Sequence, residues 1–321
     1  MNDQTLLVCS GGGHLKQLFT LANRIGIPPE AQTWVTFEND LSRSILADRE
    51  VVFAPFAAPR DAKNILRIRM MAGKVMAKHS FKSVISTGSS PAVVFLPMAS
   101  RRGMEAHYIE SAARASGPSV SGRILSHYKR VHTYTQYPGW SNMRWHYGGS
   151  IFDEYAPGPL HEVPNPKRAV VSVGTQEDYG FDRLFRAVVP LLSDFDEVLW
   201  QTGPQDVSGY GIDGRPGVPH HELQAAVAES DVVIAHAGTG AALTAIDAGK
   251  TPILVPRLAR FAEHVDDHQV QIATELDRRG LALMRSPEQL SSEDLYLAAS
   301  RVVNKVTASP FELDDAERVR T

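Results

Sequence analysis

Short apolar runs alternate along this chain with longer stretches in which apolar residues return every third or fourth position. The run Thr5-Leu6-Leu7-Val8-Cys9 leads into Ser10-Gly11-Gly12-Gly13-His14, after which Leu15, Leu18, Leu21 and Ala22 keep helical spacing. The second half opens the same way. Ala169-Val170-Val171-Ser172-Val173 is followed by Gly174-Thr175-Gln176, and then by Phe181, Leu184, Phe185 and Val188 at helical spacing. Each half carries a later unit of the same kind. In the first it is Val84-Ile85-Ser86-Thr87-Gly88-Ser89. In the second, Asp231-Val232-Val233-Ile234-Ala235 precedes His236-Ala237-Gly238-Thr239-Gly240, a helical pattern and an apolar run at 251–255. Strands that alternate with helices predict parallel sheets, so the chain reads as an α/β protein of two similar folds in tandem. Pro157, Pro159, Pro164 and Pro166 end regular structure between them. The predicted boundaries are 1–152 for the first domain, 153–166 for a linker, 167–306 for the second domain and 307–321 for a tail. A short helical pattern covers 311–318 in that tail.

Charge divides the halves. Residues 1–150 carry 18 Lys and Arg against 9 Asp and Glu, a net of +9, and residues 151–321 carry 15 against 27, a net of −12. Two halves of opposite sign suggest different partners. The basic excess concentrates where Arg60, Lys63, Arg67, Arg69, Lys74, Lys78 and Lys82 interleave with Ile65, Leu66, Ile68, Met70, Met71, Val75 and Met76. As a helix this segment is basic and amphipathic, suited to lie on an anionic membrane surface. A solvated basic face over a core-facing stripe is the rival reading. RNA is disfavoured because few aromatics are interleaved for base stacking. Cys9 is the only cysteine, which excludes an internal disulfide and fits a reducing compartment. No apolar stretch approaches the roughly 20 residues of a membrane span, and no leader is visible at the start of the sequence. The expectation is a cytoplasmic protein held peripherally at the inner face of the cell membrane. Homo-oligomer formation stays open.

Three segments carry candidate chemistry. The turn His236 to Gly240 stands between a buried strand and a helix. The first amides of a helix lack intrahelical partners, and its dipole favours an anion such as a diphosphate. An ordinary Gly-rich turn is the alternative. Glu263-His264-Val265-Asp266-Asp267-His268-Gln269 crowds carboxylate, imidazole and amide groups where ligands of open α/β sheets bind, and such groups bond sugar hydroxyls. His14, at a helix start behind three glycines, is a candidate general base, since imidazole ordinarily titrates near pH 6.5. A structural histidine capping the turn competes with that role. Arg257 is a candidate for a diphosphate or for the carboxylate of a uronic acid such as glucuronate; a surface Arg paired with Glu263 or Asp266 is the rival. His264 and His268 are four apart, but no zinc pattern completes them, so no metal and no cofactor is predicted.

Taken together, His236 to Pro256 and the Glu-His…Asp-His-Gln loop resemble the donor half of the glycosyltransferases with two Rossmann-like domains, the GT-B fold. The likeness is greatest to the catalytic subunit of the dolichol-pathway N-acetylglucosaminyltransferase and its bacterial exopolysaccharide relatives. The enzyme that completes lipid II is a more distant cousin. Ser10 to Leu15 and Tyr108-Ile109-Glu110-Ser111 with Arg114 resemble motifs of the acceptor-side subunit, so both subunits appear fused in order.

The resemblance implies two parallel sheets facing a central cleft and inverting transfer from a UDP-sugar to a polyprenyl-diphosphate-linked sugar. The donor site it implies is built from Gly174, Thr175, Gln176, Gln201, Gly203, His236, Gly238, Thr239, Gly240, Glu263, His264, Asp267, His268 and Gln269. Many relatives carry a ribose-facing Glu where this chain has Thr244; Asp247, one turn on, is the expected replacement. Ser10, Gly11, Gly12, Gly13, Thr87, Gly88, Ser89 and Arg114 would hold the acceptor. His14 or Glu110 would take its proton, unless Glu110 merely pairs with Arg114 along a helix. A UDP-sugar 2-epimerase of the same fold, or a non-catalytic partner subunit, are the alternatives.

Overall fold

The computed structural model describes residues 4–57, 62–162, 165–175 and 179–313. Arg60 and Gln176, both assigned to sites above, lie outside the described residues. The chain divides into two compact units. One runs up to Ile151 and takes in the segment from Ala308; the other is Phe152–Thr307.

In the first unit β1 (Gln4–Val8), α1 (Gly13–Ile25), β2 (Gln32–Phe37), α2 (Asp40–Ile45) and β3 (Glu50–Ala54) are followed by α3 (Ala62–Lys78), β4 (Phe81–Ser86) and α4 (Ser90–Arg101). Then come β5 (Glu105–Ile109), α5 (Val120–Ser126), β6 (Val131–Thr135) and β7 (Trp145–Tyr147). The strands form one parallel sheet in the order β3-β2-β1-β4-β5-β6-β7. Leu6, Leu7 and Val8 are fully buried, as expected of a central strand covered on both faces. The helical stripe Leu15, Leu18, Leu21 and Ala22 is buried without remainder.

α3 splits its apolar residues. Ile68, Ala72, Val75 and Met76 enter the core, whereas Leu66 is 58% and Met70 62% exposed. The helix ends at Lys78 and the chain re-enters the sheet at Phe81, so Lys82 belongs to β4 and not to the basic helix.

The second unit opens with β8 (Tyr155–Pro157), then β9 (Arg168–Ser172), α6 (Asp182–Leu191), β10 (Glu197–Gln201), β11 (Gly214–Arg215), α7 (His220–Glu229) and β12 (Val232–His236). α8 (Thr239–Asp247), β13 (Ile253–Val255), α9 (His268–Arg278), β14 (Leu283–Met284), α10 (Ser292–Ser300) and β15 (Val303–Lys305) complete it. Its parallel sheet runs β11-β10-β9-β12-β13-β14, and β8 pairs antiparallel with β15. Phe181, Leu184, Phe185 and Val188 pack from α6 onto Val171, Ile234 and Val255.

The helical pattern read over 311–318 lies mostly outside the described residues, which end at 313. Residues 308–313 dock on the first unit. Phe311 N–H donates to Arg24 O at 3.1 Å, Glu312 N–H to Gly148 O at 3.0 Å, and the Phe311 ring packs 6.0 Å from that of Tyr134. Burying one aromatic ring and bonding the backbone to unit-1 groups hold this segment in place.

Candidate functional site

Each sheet reverses its strand order at one point, and loops on either side of such a point open a crevice at the strands' carboxyl ends. In the second unit the point lies between β9 and β12, so Val173 to Thr175 and Ala237 to Gly240 come together. His236 fills the junction. Its Nδ1 lies 3.4 Å from Ser172 O, and a Cβ on Gly174 would stand 2.8 Å from its Cε1. A Cβ on Gly238 would stand 2.3 Å from its Nε2. Two glycines predicted to clear space for a ligand thus also clear space for the ring of His236. Burial, with the Arg257 guanidinium nearby, pushes its pKa down to about 3 and keeps the imidazole neutral.

Gly238 also needs correction as a diphosphate donor, because its N–H bonds to His236 O at 2.8 Å. Thr239 and Gly240, the first residues of α8, present the amides that the helix leaves unpaired, and Gly238 as cap residue has no side chain to satisfy them. Gln201 is buried and bonded to the Ser172 hydroxyl at 2.5 Å, while Gly203, with φ +58°, passes close to Gly174 O. Thr175 is exposed at the mouth of the loop.

Asp247, the expected ribose contact, is bonded within its own unit. It closes the far end of α8, where it accepts from Tyr155 Oη at 2.7 Å and pairs with Lys305 at 3.0 Å. Nine residues of helix rise roughly 12 Å from first to last, which separates it from the amides of Thr239 and Gly240. Thr244 turns its hydroxyl back to Gly240 O at 2.8 Å.

Arg257 is also corrected. Its side chain is 1% exposed, donating to Val173 O at 2.8 Å and Tyr179 O at 3.2 Å, and its own N–H is held by Gln269 Oε1 at 3.0 Å. Desolvation lowers its pKa to about 10. It braces the loop after β9 through those two carbonyls.

The stretch after β13 is pinned in the same manner. Glu263 takes both Nε and Nη2 of Arg183 at 3.0 Å and the N–H of Leu258 at 3.0 Å. Asp267 accepts from Ala259 N–H at 2.8 Å. Glu263, Asp267 and Gln269 therefore shape the loop. Half-buried His264 and His268, with Asp266 bonded to His268, and exposed Asp267 are the polar side chains it presents.

In the first unit the reversal lies between β1 and β4. His14, in the first turn of α1, crosses it: its Nδ1 is 2.8 Å from Thr87 O, and Thr87 Oγ1 donates back to His14 O at 2.9 Å. A carbonyl only accepts, so Nδ1 carries the proton and the lone pair of the neutral ring sits on Nε2, the tautomer a general base needs. A Cβ on Gly88, with φ +128°, would stand 2.9 Å from His14 Cε1. Gly12, with φ +65°, caps α1, and Ser89, with φ +69°, caps α4; neither helix has a side-chain cap. Gly11 abuts the amide of Asn39, Gly13 opens α1, and Ser10 is buried.

Glu110 is corrected as a base. It is 1% exposed, and its carboxylate accepts from Tyr108 Oη, Ser111 N–H, Ser119 N–H and Ser119 Oγ at 2.9–3.1 Å. Burial raises its pKa, and the bonds from Ser119 and Ser111 pull it back. Its task is to tie the turn after β5 to the cap of α5. The segment to Arg114 is not helical: Arg114 N–H donates to Ser111 O at 2.9 Å and closes a turn. Buried Gln17 and Gln136 went unnoticed in the sequence. Gln17 Oε1 accepts from Ala112 N–H at 2.8 Å, and Gln136 donates to Glu110 O at 2.9 Å. Nothing local marks two glutamines 119 residues apart as partners.

Comparison with known proteins fits this geometry. Residues 168–312 match the model of the glycosyltransferase family 28 C-terminal domain. Among solved structures, MurG of Acinetobacter baumannii is similar with a TM-score of 0.57, at 17% identity over 92% of this chain and 89% of that one. The calicheamicin glycosyltransferase CalG4 is similar with a TM-score of 0.54, at 17% identity over 94% and 91%. The UDP-GlcNAc 2-epimerase of Methanocaldococcus jannaschii, solved with UDP-GlcNAc and UDP, is similar with a TM-score of 0.61, at 8% identity over 97% and 96%. No curated protein sequence matches the chain. At such identities the structural likeness establishes the fold alone, and transferases and epimerases share it. The family match falls on the unit that holds the α8 amides, which therefore resembles the C-terminal domain of family 28 glycosyltransferases.

Proposed function

We propose that the chain transfers a sugar, with inversion, from a UDP-sugar to a polyprenyl-diphosphate-linked sugar at an anionic membrane surface. The observation that carries this reading is the open first turn of α8 beside neutral His236, in the unit that matches the family 28 domain. Thr239 and Gly240 amides receive the diphosphate and stabilise it as it leaves. The loop that carries His264 and His268 lies on the side of the donor sugar. His14, oriented by Thr87, takes the proton of the acceptor hydroxyl. The exposed Leu66 and Met70, with Lys63, Arg67, Arg69, Lys74 and Lys78 exposed on the same helix, support membrane docking, as does Phe56 at 68% exposure. With Arg257 bonded to backbone carbonyls, this reading carries no preference for a uronic acid donor. The donor sugar is left to experiment.

The test is a panel of UDP-sugars, each assayed for UDP release with and without a synthetic sugar-diphosphate-lipid. Release that requires the acceptor, and that falls about 10²–10⁴-fold in kcat for His14→Ala, is the expected result. The epimerase likeness motivates the one competing reading. Interconversion of UDP-sugars without acceptor, unaffected by His14→Ala, would establish it in place of transfer.

A further inference from the structure

The loop between β13 and α9 brings metal-ligating atoms together. One ring nitrogen each from His264 and His268 and a carboxylate oxygen of Asp266 all lie within 4.8 Å of one another. Asp266 Oδ1 is hydrogen-bonded to His268 Nδ1 and stands 3.9 Å from His264 Nδ1. The two imidazoles meet edge-on, 4.6 Å between centroids, and His264 is backed by the ring of Tyr179 at 5.6 Å. Donors bound to a tetrahedral ion at about 2.0–2.1 Å sit roughly 3.3 Å apart, so side-chain rotations of about an ångström complete the set.

We propose that His264, Asp266 and His268 form a binding site for a divalent transition-metal ion of the zinc type. Two imidazoles and one carboxylate favour Zn²⁺, Co²⁺ or Ni²⁺ over Mg²⁺ and Ca²⁺, which prefer oxygen ligands throughout. The backbone is already shaped for it. Glu263 on Arg183, Asp267 on Ala259 and Gln269 on Arg257 hold the loop on both sides of the ligands. Three protein ligands leave at least one position for water or a ligand oxygen. Absence of a zinc pattern in the sequence argued against a metal. The fold overrides that argument by bringing one donor atom each of His264, Asp266 and His268 within 4.8 Å of one another. Ligation needs neutral imidazoles and displaces the Asp266–His268 hydrogen bond, so uptake weakens as pH falls.

The decisive experiment titrates Co²⁺ into the metal-stripped full-length chain and follows visible d–d absorption, a readout independent of the proposed transfer. The expected result is the intense spectrum of four- or five-coordinate cobalt, saturating at a single ion per chain and abolished by Zn²⁺. Changes to outer-shell partners alone cost about 10–100-fold in metal affinity, so His264→Ala and His268→Ala should each weaken uptake at least tenfold. Asp266→Asn, which preserves side-chain size, should do the same with an unchanged circular dichroism spectrum. His161→Ala and His221→Ala, at exposed histidines of the same unit, should bind as the parent does. A weak octahedral spectrum without saturation in the parent chain overturns the proposal, and so do loop variants that bind cobalt as tightly as the parent.

Discussion

His236 and His14 close equivalent junctions in the two units, each with its ring against a glycine in the left-handed region: Gly174 for one, Gly88 for the other. Their glycines are therefore demanded by packing as well as by backbone conformation. His236 also sets a pH dependence. Its folded pKa is lowered to about 3, whereas an unfolded histidine titrates near 6.5. Between those values the unfolded chain binds a proton that the folded chain refuses. The stabilisation is complete above about pH 6.5 and is lost as pH falls toward 3, by up to about 1.4 kcal/mol per pH unit. Glu110, its pKa raised by burial, acts in the opposite sense over the carboxylate range. Urea unfolding of the parent chain and of His236→Asn from pH 7 to 4 checks this. The variant should show the shallower decline, and equal slopes would remove His236 as the cause.

At the scale of elements, α8 and α3 do different work with similar means. α8 offers its first turn, and that claim is separable from folding. Proline is tolerated in the first turn of a helix, where its missing N–H breaks no intrahelical bond. Gly240→Pro should therefore leave the thermal midpoint within a few degrees while deleting one amide from the proposed diphosphate site. A charge-assisted hydrogen bond contributes about 1.5–3 kcal/mol, so calorimetric UDP affinity should fall about 10–150-fold. α3 offers charge and exposed apolar side chains. With about 1 kcal/mol per basic residue near an anionic surface, the quadruple change of Arg67, Arg69, Lys74 and Lys78 to Gln should lower partition onto phosphatidylglycerol vesicles by about 10²–10³-fold. Retention on those vesicles at low salt would remove this helix as the docking element.

For the whole molecule, a late segment of the chain belongs with its beginning. Residues 308–313 belong to the first unit, with Arg24 donating to Ser309 O at 2.7 Å and Phe311 at 3% exposure beneath Gly148. Phe311→Ala removes a buried ring, and such changes cost about 3–5 kcal/mol. The expected calorimetric trace shows the first unit melting several degrees earlier while the UDP-stabilised transition of the second stays in place. A uniform shift of both would mean that the units do not melt separately. Among the described residues no helix is long and apolar enough to cross a membrane, so the proposed access to a lipid-linked acceptor rests on surface docking.

Short apolar runs alternating with stretches of helical spacing, and glycines at the strand ends, were enough to read an α/β chain of two similar halves and to locate both sheet-edge loops, because those signals are local. Strand order was not local, and it decided the rest. Only the reversal between β9 and β12 brought Gly174 against His236, and only that between β1 and β4 set His14 on Thr87. The sequence could list Glu110, Arg257, Asp247, Glu263, Asp267 and Gln269 as chemically able, since a side chain's type is written in its letter. Whether a carboxylate meets a ligand or a backbone amide depends on which distant segment packs beside it. Folding spent Glu110 on Ser119, Glu263 on Arg183 and Asp247 on Tyr155, because a buried polar group is costly until it is paired.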